Sequence, residues 1–378
     1  MADERPAARE DPETAIICAL PLEASAVNYL FDEFWDDRRD RFYKAPRDEN
    51  HYSTGRIGKH HVVLVQLPGM GKANAATAAT FLLSSYTRVR LALVVGVRGG
   101  VPTLGKDDDE NEILLGDVII SNAVVQYDLG QHYPHRFFTK TSIEDSLNKT
   151  NKDVCALLRS LTTDHGTHPI QEKTARFLRE LQDAHTTGLL TRRAKERAKY
   201  QFPGTARDKL FSAKYQHRHY NSSTAEPCGC SDNYCCPLAT ASFCEDVGCN
   251  DSHLVTPRER LAFKHAQEAA GLDCAQNPCV YIGTFASGDN VMKSAAERDR
   301  IAKEQNVIAF EMEGAGVWDI MPCIIVKGVG DYADSHKSRR WQNFAAAAAA
   351  AATKALLETF DIKGPNHTPP GRERGFDN

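Results

Sequence analysis

Four apolar runs between Thr14 and Val125, AIICAL, HVVLVQL, RLALVVGV and LLGDVIISNAVV, show almost no alternation of apolar with polar positions, and this restricts the fold most. A strand with one wet face alternates, whereas runs of this kind suit strands covered on both faces. The helix-forming KANAATAATFLLSS lies between the second and third runs, and glycine turns punctuate the rest. From about Phe137 to Val255 the chain turns polar: helical periodicity in VCALLRSL and TARFLRELQDA gives way to the basic RRAKERAKY and then to a cysteine-rich loop. Strand and helix patterns resume with CVYIGTFASG, NVIAFEME and MPCIIVKGVGD, and close on WQNFAAAAAAAATKALLETF. We therefore expect an α/β fold with a mixed, largely parallel central sheet flanked by helices, forming one domain over residues 14–360 with a polar, cysteine-rich insertion at 137–255. Residues 1–13 are expected to be flexible and 361–378 disordered, since their Pro, Gly and charge content cannot supply a core.

At 378 residues, with a net charge of −4 and a pI near 6.4, the chain has no global basic field, which argues against nucleic acid or a membrane surface as partner. No apolar run approaches the roughly 20 residues needed to span a bilayer. The opening MADERPAAREDPET has no apolar signal segment, so a cytoplasmic location is expected. Six of the eleven cysteines, Cys228, Cys230, Cys235, Cys236, Cys244 and Cys249, crowd into CGCSDNYCCPLATASFCEDVGC. Their spacings do not make the doubled CxxC pattern of common zinc modules. Two readings stand, a structural site stapled by metal or redox chemistry and a set of unligated loop cysteines. Cys18 and Cys323, inside apolar runs, read as small buried hydrophobes.

Polar and acidic residues recur just past the carboxyl ends of the apolar runs. Glu23 follows AIICALPL, Gly99 and Gly100 follow ALVVGV, Ser287 and Asp289 follow YIGTFA, Glu313 ends AFEM, and Asp331 follows IIVKGVG. Ligands of open parallel sheets collect outside those ends, so one cleft is expected to gather all five segments. In IAFEMEGAG, Glu311 and Glu313 stand two residues apart and share a strand face, opposite Phe310 and Met312. A buried carboxylate needs a donor, so the pair marks either a strand end meeting solvent or a binding site. LPGMGKANAA permits a tight turn at Gly69 and Gly71 before a helix whose free N–H groups suit an anion or a sugar oxygen; a plain strand–helix connection fits it equally well. It is not a Walker motif, and Asn74 replaces the third glycine of a dinucleotide fingerprint. These segments hold no group with convincing metal-ligand spacing, and Ser287 lacks the elbow pattern of a hydrolase nucleophile. What remains is acid–base chemistry by carboxyl groups, with glycine turns for binding.

Taken in order, Ile16 to Leu20 followed by Glu23, then GMGK, GVRGG, FASGDN, FEMEGAG and GVGDYADSHK, the chain resembles the nucleoside phosphorylase and nucleosidase superfamily, which includes methylthioadenosine/S-adenosylhomocysteine nucleosidases. It is similar above all to fungal nucleosidase-like domains often joined to NACHT or ankyrin modules, in which GDYADSHK, RRW and an alanine-rich helix recur. The resemblance covers Ala15 to about Phe360 and is poor from Phe137 to Val255. No NACHT or ankyrin segment accompanies it, so a free-standing catalytic chain is expected.

The resemblance implies that Asp331 protonates or hydrogen-bonds N7 of a purine and that Glu23 activates the attacking water. It further implies that Glu313 accepts both ribose hydroxyls, Met312 packs on the sugar, Phe285 stacks on the base, main-chain groups around Ser287 read the base edge, and Gly99 and Gly100 bind the ligand. Glu311 is divided between a structural hydrogen-bonding role and direct contact, and Asp334 between a loop cap and support for the Asp331 turn. Phosphorylases of the superfamily usually carry a GDP-type phosphate loop where this chain has PLEAS, and Glu23 there would repel phosphate. Arg98 points the other way, as a good phosphate donor, a partner for a nucleotide 5′-phosphate, or a carboxylate partner. The expectation is hydrolysis of adenosine or inosine by a homodimer without cofactor, with methylthioadenosine ranked second and AMP third. Phosphorolysis and a nucleoside-binding module without turnover are the alternatives.

Overall fold

The apolar runs become strands of one sheet. In the computed structural model, which describes residues 12–35, 44–103, 112–134, 136–140, 147, 152–183, 198–220, 230 and 235–359, these are β1 (Thr14–Cys18), β2 (Glu33–Phe34), β3 (Tyr52–Ile57), β4 (His60–Gln66), β5 (Leu91–Gly100) and β6 (Val118–Gln126). After the hairpin of β7 (Gly130–Tyr133) and β8 (Arg136–Thr139) come β9 (Val280–Ser287), β10 (Val307–Glu311) and β11 (Cys323–Asp331). The nine-stranded sheet has the order β10-β9-β6-β11-β5-β1-β4-β3-β2. β1 lies between β4 and β5 and runs parallel to both, which is why all five of its residues are buried. β11 is parallel to β5 and antiparallel to β6, so the sheet is mixed, as the sequence pattern suggested.

One pairing changes the geometry of the site. The last residues of β5 pair antiparallel with β10, Gly99 with Phe310 and Gly100 with Ala309, so β5, β11, β6, β9 and β10 close into a ring. The carboxyl ends of β5 and β10 therefore run past each other. Glu311 and Glu313 come to lie inside the closed part of the sheet, and the solvent-facing reading of IAFEMEGAG does not hold: they are 5% and 4% exposed.

The alanine-rich segment forms the helix Gln342–Thr359, with Ala345 to Ala352 all buried. Small residues are required on both sides of its contact with β11, because a Cβ at Gly328 would lie 2.0 Å from the carbonyl oxygen of Ala345. The helix Asp164–Gln182 packs against it and adds Phe177, Leu178 and Leu181 to the main core, although it falls within the polar segment 137–255.

Asp208 ties that segment to the sheet and to the stretch that follows it. Asp208 accepts from the Leu115 amide (2.9 Å), Arg258 Nη1 (2.8 Å) and the Tyr332 hydroxyl (2.7 Å), while Arg260 forks onto Asp117 at 2.5 and 2.7 Å. Residues 1–11, the tail 361–378 and Cys228 fall outside the described residues, while Glu13, expected to be flexible, accepts from the Arg90 amide at 2.9 Å. Among the described residues no helix is long and apolar enough to cross a membrane.

Adding one methyl group at Gly328 should force the terminal helix off its strand. Gly328→Ala is expected to lower stability by about 1–3 kcal/mol, read as a lower urea midpoint; an unchanged midpoint would mean that the helix has slack at this contact.

Candidate active site

Glu23 enters the site at the third position of the helix Pro21–Asn28, just past β1. It is 2% exposed, and among the described residues its carboxylate is held by backbone N–H groups: Oε2 accepts from Ala19 (3.0 Å) and Leu20 (2.8 Å), Oε1 from Val97 (2.7 Å). Only glycine fits opposite, since a Cβ at Gly96 would stand 2.3 Å from Oε1. Burial pushes the Glu23 pKa up, with Glu313 adding to the rise; Lys327 and the Leu20 and Val97 amides oppose it.

Lys327 is the counter-charge. It is 1% exposed, and Nζ donates to Glu313 Oε2 at 3.0 Å. Burial alone would lower its pKa, but Glu313, Glu23 and Glu311 outweigh that and hold the ammonium charged, above the ordinary lysine value. Among the described residues Glu313 Oε1 keeps a long contact, 3.5 Å, from the Gly71 amide. Glu311 is taken by structure: it accepts from the amides of Glu313 (2.9 Å) and Gly314 (2.8 and 3.0 Å), capping the turn into the helix Gly314–Trp318. Burial, with Glu313 beside it, pushes its pKa up as well, against Lys327.

Asp331 ends β11 at the opposite side of the opening. Its Oδ1 accepts from the Ala333 amide at 2.8 Å, and Lys337 Nζ lies 3.1 Å from Oδ1 and 3.3 Å from Oδ2. Asp334 caps the same loop by accepting from the His336 amide at 2.9 Å; burial raises its pKa, with Asp331 adding and His336 and Arg298 opposing. Glu23, Val97, Gly99, Met312, Glu313 and Asp331 all line one cleft of ≈ 970 Å³, within the usual size of a small-molecule site. Asn290 to Lys293, Pro237 and Thr240 to Phe243 complete its walls.

The family model described as phosphorylase superfamily matches residues 13–180. A nucleotide-binding leucine-rich repeat (NLR)-like protein of Hyaloscypha variabilis is 28% identical over 357 residues, a match covering 93% of this chain and 29% of that protein. A 5′-methylthioadenosine/S-adenosylhomocysteine nucleosidase of Mycobacterium tuberculosis is 22% identical, covering 92% of this chain and 96% of that one. Among solved structures, futalosine hydrolase of Helicobacter pylori superposes with a TM-score of 0.50 at 15% identity, covering 93% of this chain and 99% of that one. The H. pylori 5′-methylthioadenosine/S-adenosylhomocysteine nucleosidase does so with the same values. Residues 13–180 thus match the phosphorylase superfamily, and the chain shares the fold of these nucleosidases.

Of the residues singled out from sequence, Arg98 lines the cleft, whereas Phe285, Ser287 and Gly100 do not. Phe285 is fully buried and lies beneath the guanidinium of Arg98, 4.9 Å from its ring centroid, so it is not placed to stack on a ligand base. Val291 and Met292 line the cleft instead. Ser287 is also fully buried, its hydroxyl accepting from the Ala315 amide at 2.9 Å. Gly100 is used in the pairing with Ala309. Arg98 is 4% exposed; Nη1 donates to the Gly99 carbonyl at 2.8 Å, while Nε and Nη2 are buried without a partner among the described residues. Burial pushes its pKa down to about 9, against Asp331, Glu311 and Asp117. The GMGK turn is a strand–helix connection, because Asp289 accepts from the Lys72 amide (2.9 Å) and Asp128 takes its ammonium (2.6 Å).

Sequence reasoning missed Lys327 and Lys337. The signal for Lys327 was present: a single cation inside the apolar run IIVKGVG, four residues before Asp331. Removing it as Lys327→Met leaves buried carboxylates without a counter-charge, which costs about 3–5 kcal/mol. Its loss raises the folded-state pKa of Glu23 further, and a raised carboxyl pKa stabilises the fold below the unfolded value and is lost as pH rises through the folded one. Urea unfolding should therefore find the variant penalised more at pH 8 than at pH 5; an equal penalty at both would show that Lys327 does not offset these charges.

Proposed function

We propose that the chain hydrolyses the N-glycosidic bond of purine ribonucleosides, with adenosine or inosine first. The observation that carries this reading is that Glu23, Glu313 and Asp331 face one cleft, with the buried Lys327 balancing the two glutamates. The nucleosidase names among its relatives support the reaction class.

The ribose sits at Glu313, whose Oε2 is held by Lys327 and whose Oε1 is lightly engaged and available to the 2′- and 3′-hydroxyls. Three N–H donors occupy Glu23, and a carboxylate has about four acceptor positions, so one remains for a water. Glu23 takes a proton from that water as its oxygen attacks C1′. The C1′–N9 bond breaks with its electron pair passing to the purine, and the Asp331 carboxyl delivers a proton to N7. Lys337, in contact with Asp331, stabilises the negative charge that develops on the base. Met312 packs on the sugar, and Val291 and Met292 supply the apolar wall for the base.

A second reading, phosphorolysis or action on AMP, draws on the unpartnered Nε and Nη2 of Arg98. Against it stand the closed environment of those N–H groups and the like charge of Glu23 beside the attacking position.

Glu23→Gln should lower turnover by about 10²–10⁴-fold while nucleoside binding by calorimetry persists. In the parent chain the acid limb of kcat/KM should lie above the ordinary glutamate pKa, because burial raises that of Glu23 and activity is lost as pH falls through it. Near-normal turnover in the glutamine variant would remove Glu23 from the mechanism.

Initial rates of free base release, without and with added phosphate, test the rest. Adenosine or inosine should lead methylthioadenosine, AMP and uridine, with no dependence on phosphate. Predominant uridine cleavage would overturn the N7 acid, and a phosphate requirement would establish phosphorolysis.

A further inference from the structure

Two of the clustered cysteines meet two histidines that lie far from them in sequence. Cys244 opens the one-turn helix Cys244–Val247, and the left-handed Gly248 (φ 79°) turns the chain so that Cys249 faces back beside it. His217 comes from the preceding loop and His336 from the loop that carries Asp331. Cys244 Sγ is 3.5 Å from Nδ1 of both histidines; Cys249 Sγ is 3.6 Å from His217 Nδ1 and 3.8 Å from His336 Nδ1. All four donor atoms lie within 4.8 Å of one another.

We propose that Cys244, Cys249, His217 and His336 bind one structural zinc ion that clamps the polar segment to the Asp331 loop. A tetrahedral zinc with Zn–S near 2.3 Å and Zn–N near 2.0–2.1 Å separates its sulfur and nitrogen ligands by roughly 3.5–3.6 Å, close to the separations found. Hydrogen bonding between thiols and imidazoles explains them less well, since a thiol has one proton and each sulfur approaches both nitrogens.

The rings are also set in the required tautomer. His217 Nε2 lies 2.7 Å from the Ala239 carbonyl and His336 Nε2 lies 3.1 Å from the Tyr215 carbonyl. A carbonyl only accepts, so each Nε2 carries the proton and each Nδ1 presents its lone pair to the cluster. His336 is further fixed by stacking on Phe211, 4.1 Å between ring centres. Two thiolates neutralise a divalent cation, and loading it releases the two thiol protons.

The clamp borders the cleft on two sides. Cys244 directly follows the wall residues Thr240 to Phe243, and His336 directly precedes Lys337, which pairs with Asp331. His217 adds a tether, its amide donating to Ser335 Oγ at 3.0 Å. An effect of the metal on turnover rests on the hydrolase reading, but metal content does not. A neighbouring trio, His219, Cys230 and Cys236, offers similar donors.

Metal analysis of the purified chain should find at least one zinc per polypeptide. The double variant His336→Ala, Cys249→Ser should carry one fewer and melt at a lower temperature. His336→Cys, which keeps four donors, should retain the parental zinc content and, loaded with cobalt(II), gain thiolate-to-metal charge-transfer absorption. With purine ribonucleoside as substrate, zinc removal should lower kcat/KM by about ten- to hundred-fold, restored by zinc(II) alone. A parent without zinc that also fails to bind added zinc(II) or cobalt(II) overturns the site, as does a parental zinc content in the double variant. Zinc present with no nucleoside cleaved would leave the metal site standing and reject the hydrolase instead.

Discussion

The cleft depends on a single buried ammonium. Glu23 and Glu313 come from different elements, the first from the helix after β1 and the second from the end of β10, and neither tolerates burial uncompensated. Lys327 answers both from β11, which lies next to β5 in the sheet. Its charge allows the carboxylates to stay close together in a water-poor site, where their effect on a developing positive centre is stronger than in solvent. The backbone N–H groups on Glu23 do the remaining work of orientation, so that carboxylate is fixed by peptide geometry and not by flexible side chains.

That arrangement requires the sheet to close. An open sheet would leave the end of β10 at an edge, with Glu311 and Glu313 in water. The β5–β10 pairing draws them inward, and Glu311 is then spent on capping the next helix. Close packing behind the sheet reinforces the closure: the terminal helix rests on Gly328, one residue beyond Lys327, through alanines whose single methyl groups are too small to hold it off. The long alanine tract thus has a structural reason, because bulkier residues would lift the helix from the strand that positions Lys327 and Asp331.

Apolar runs made the sheet legible, and the recurrence of carboxylates at run ends made Glu23, Glu313 and Asp331 legible as neighbours. Phe285 was assigned to the base through the family resemblance, and its burial depends on local pairing that no single strand pattern shows. β9 shifts register against β6 between Ser121 and Ala123, and Phe285 is buried under Arg98. The closing β5–β10 pair was invisible for a related reason: two residues of contact, Gly99 and Gly100, leave no mark on periodicity. Cysteine spacing alone left a structural site and unligated cysteines both open. The four-donor cluster takes its histidines from positions 217 and 336, and no local pattern joins residues that meet only in the folded chain.

The two ends of the cleft are held by different means. Around Glu23 and Glu313 the supports are core strands, peptide N–H groups and Lys327, all within the sheet. Around Asp331 they are Lys337, the Asp334-capped loop and the wall of Pro237 and Thr240 to Phe243, tied to the polar segment. On the proposed reading the first end holds the ribose and the second the base. A change in the polar segment would then alter which base or 5′-substituent is accepted while leaving the sugar chemistry in place, since no part of that segment touches the Glu23–Lys327–Glu313 group among the described contacts. Substrate choice and bond cleavage would thereby reside in separable parts of one domain.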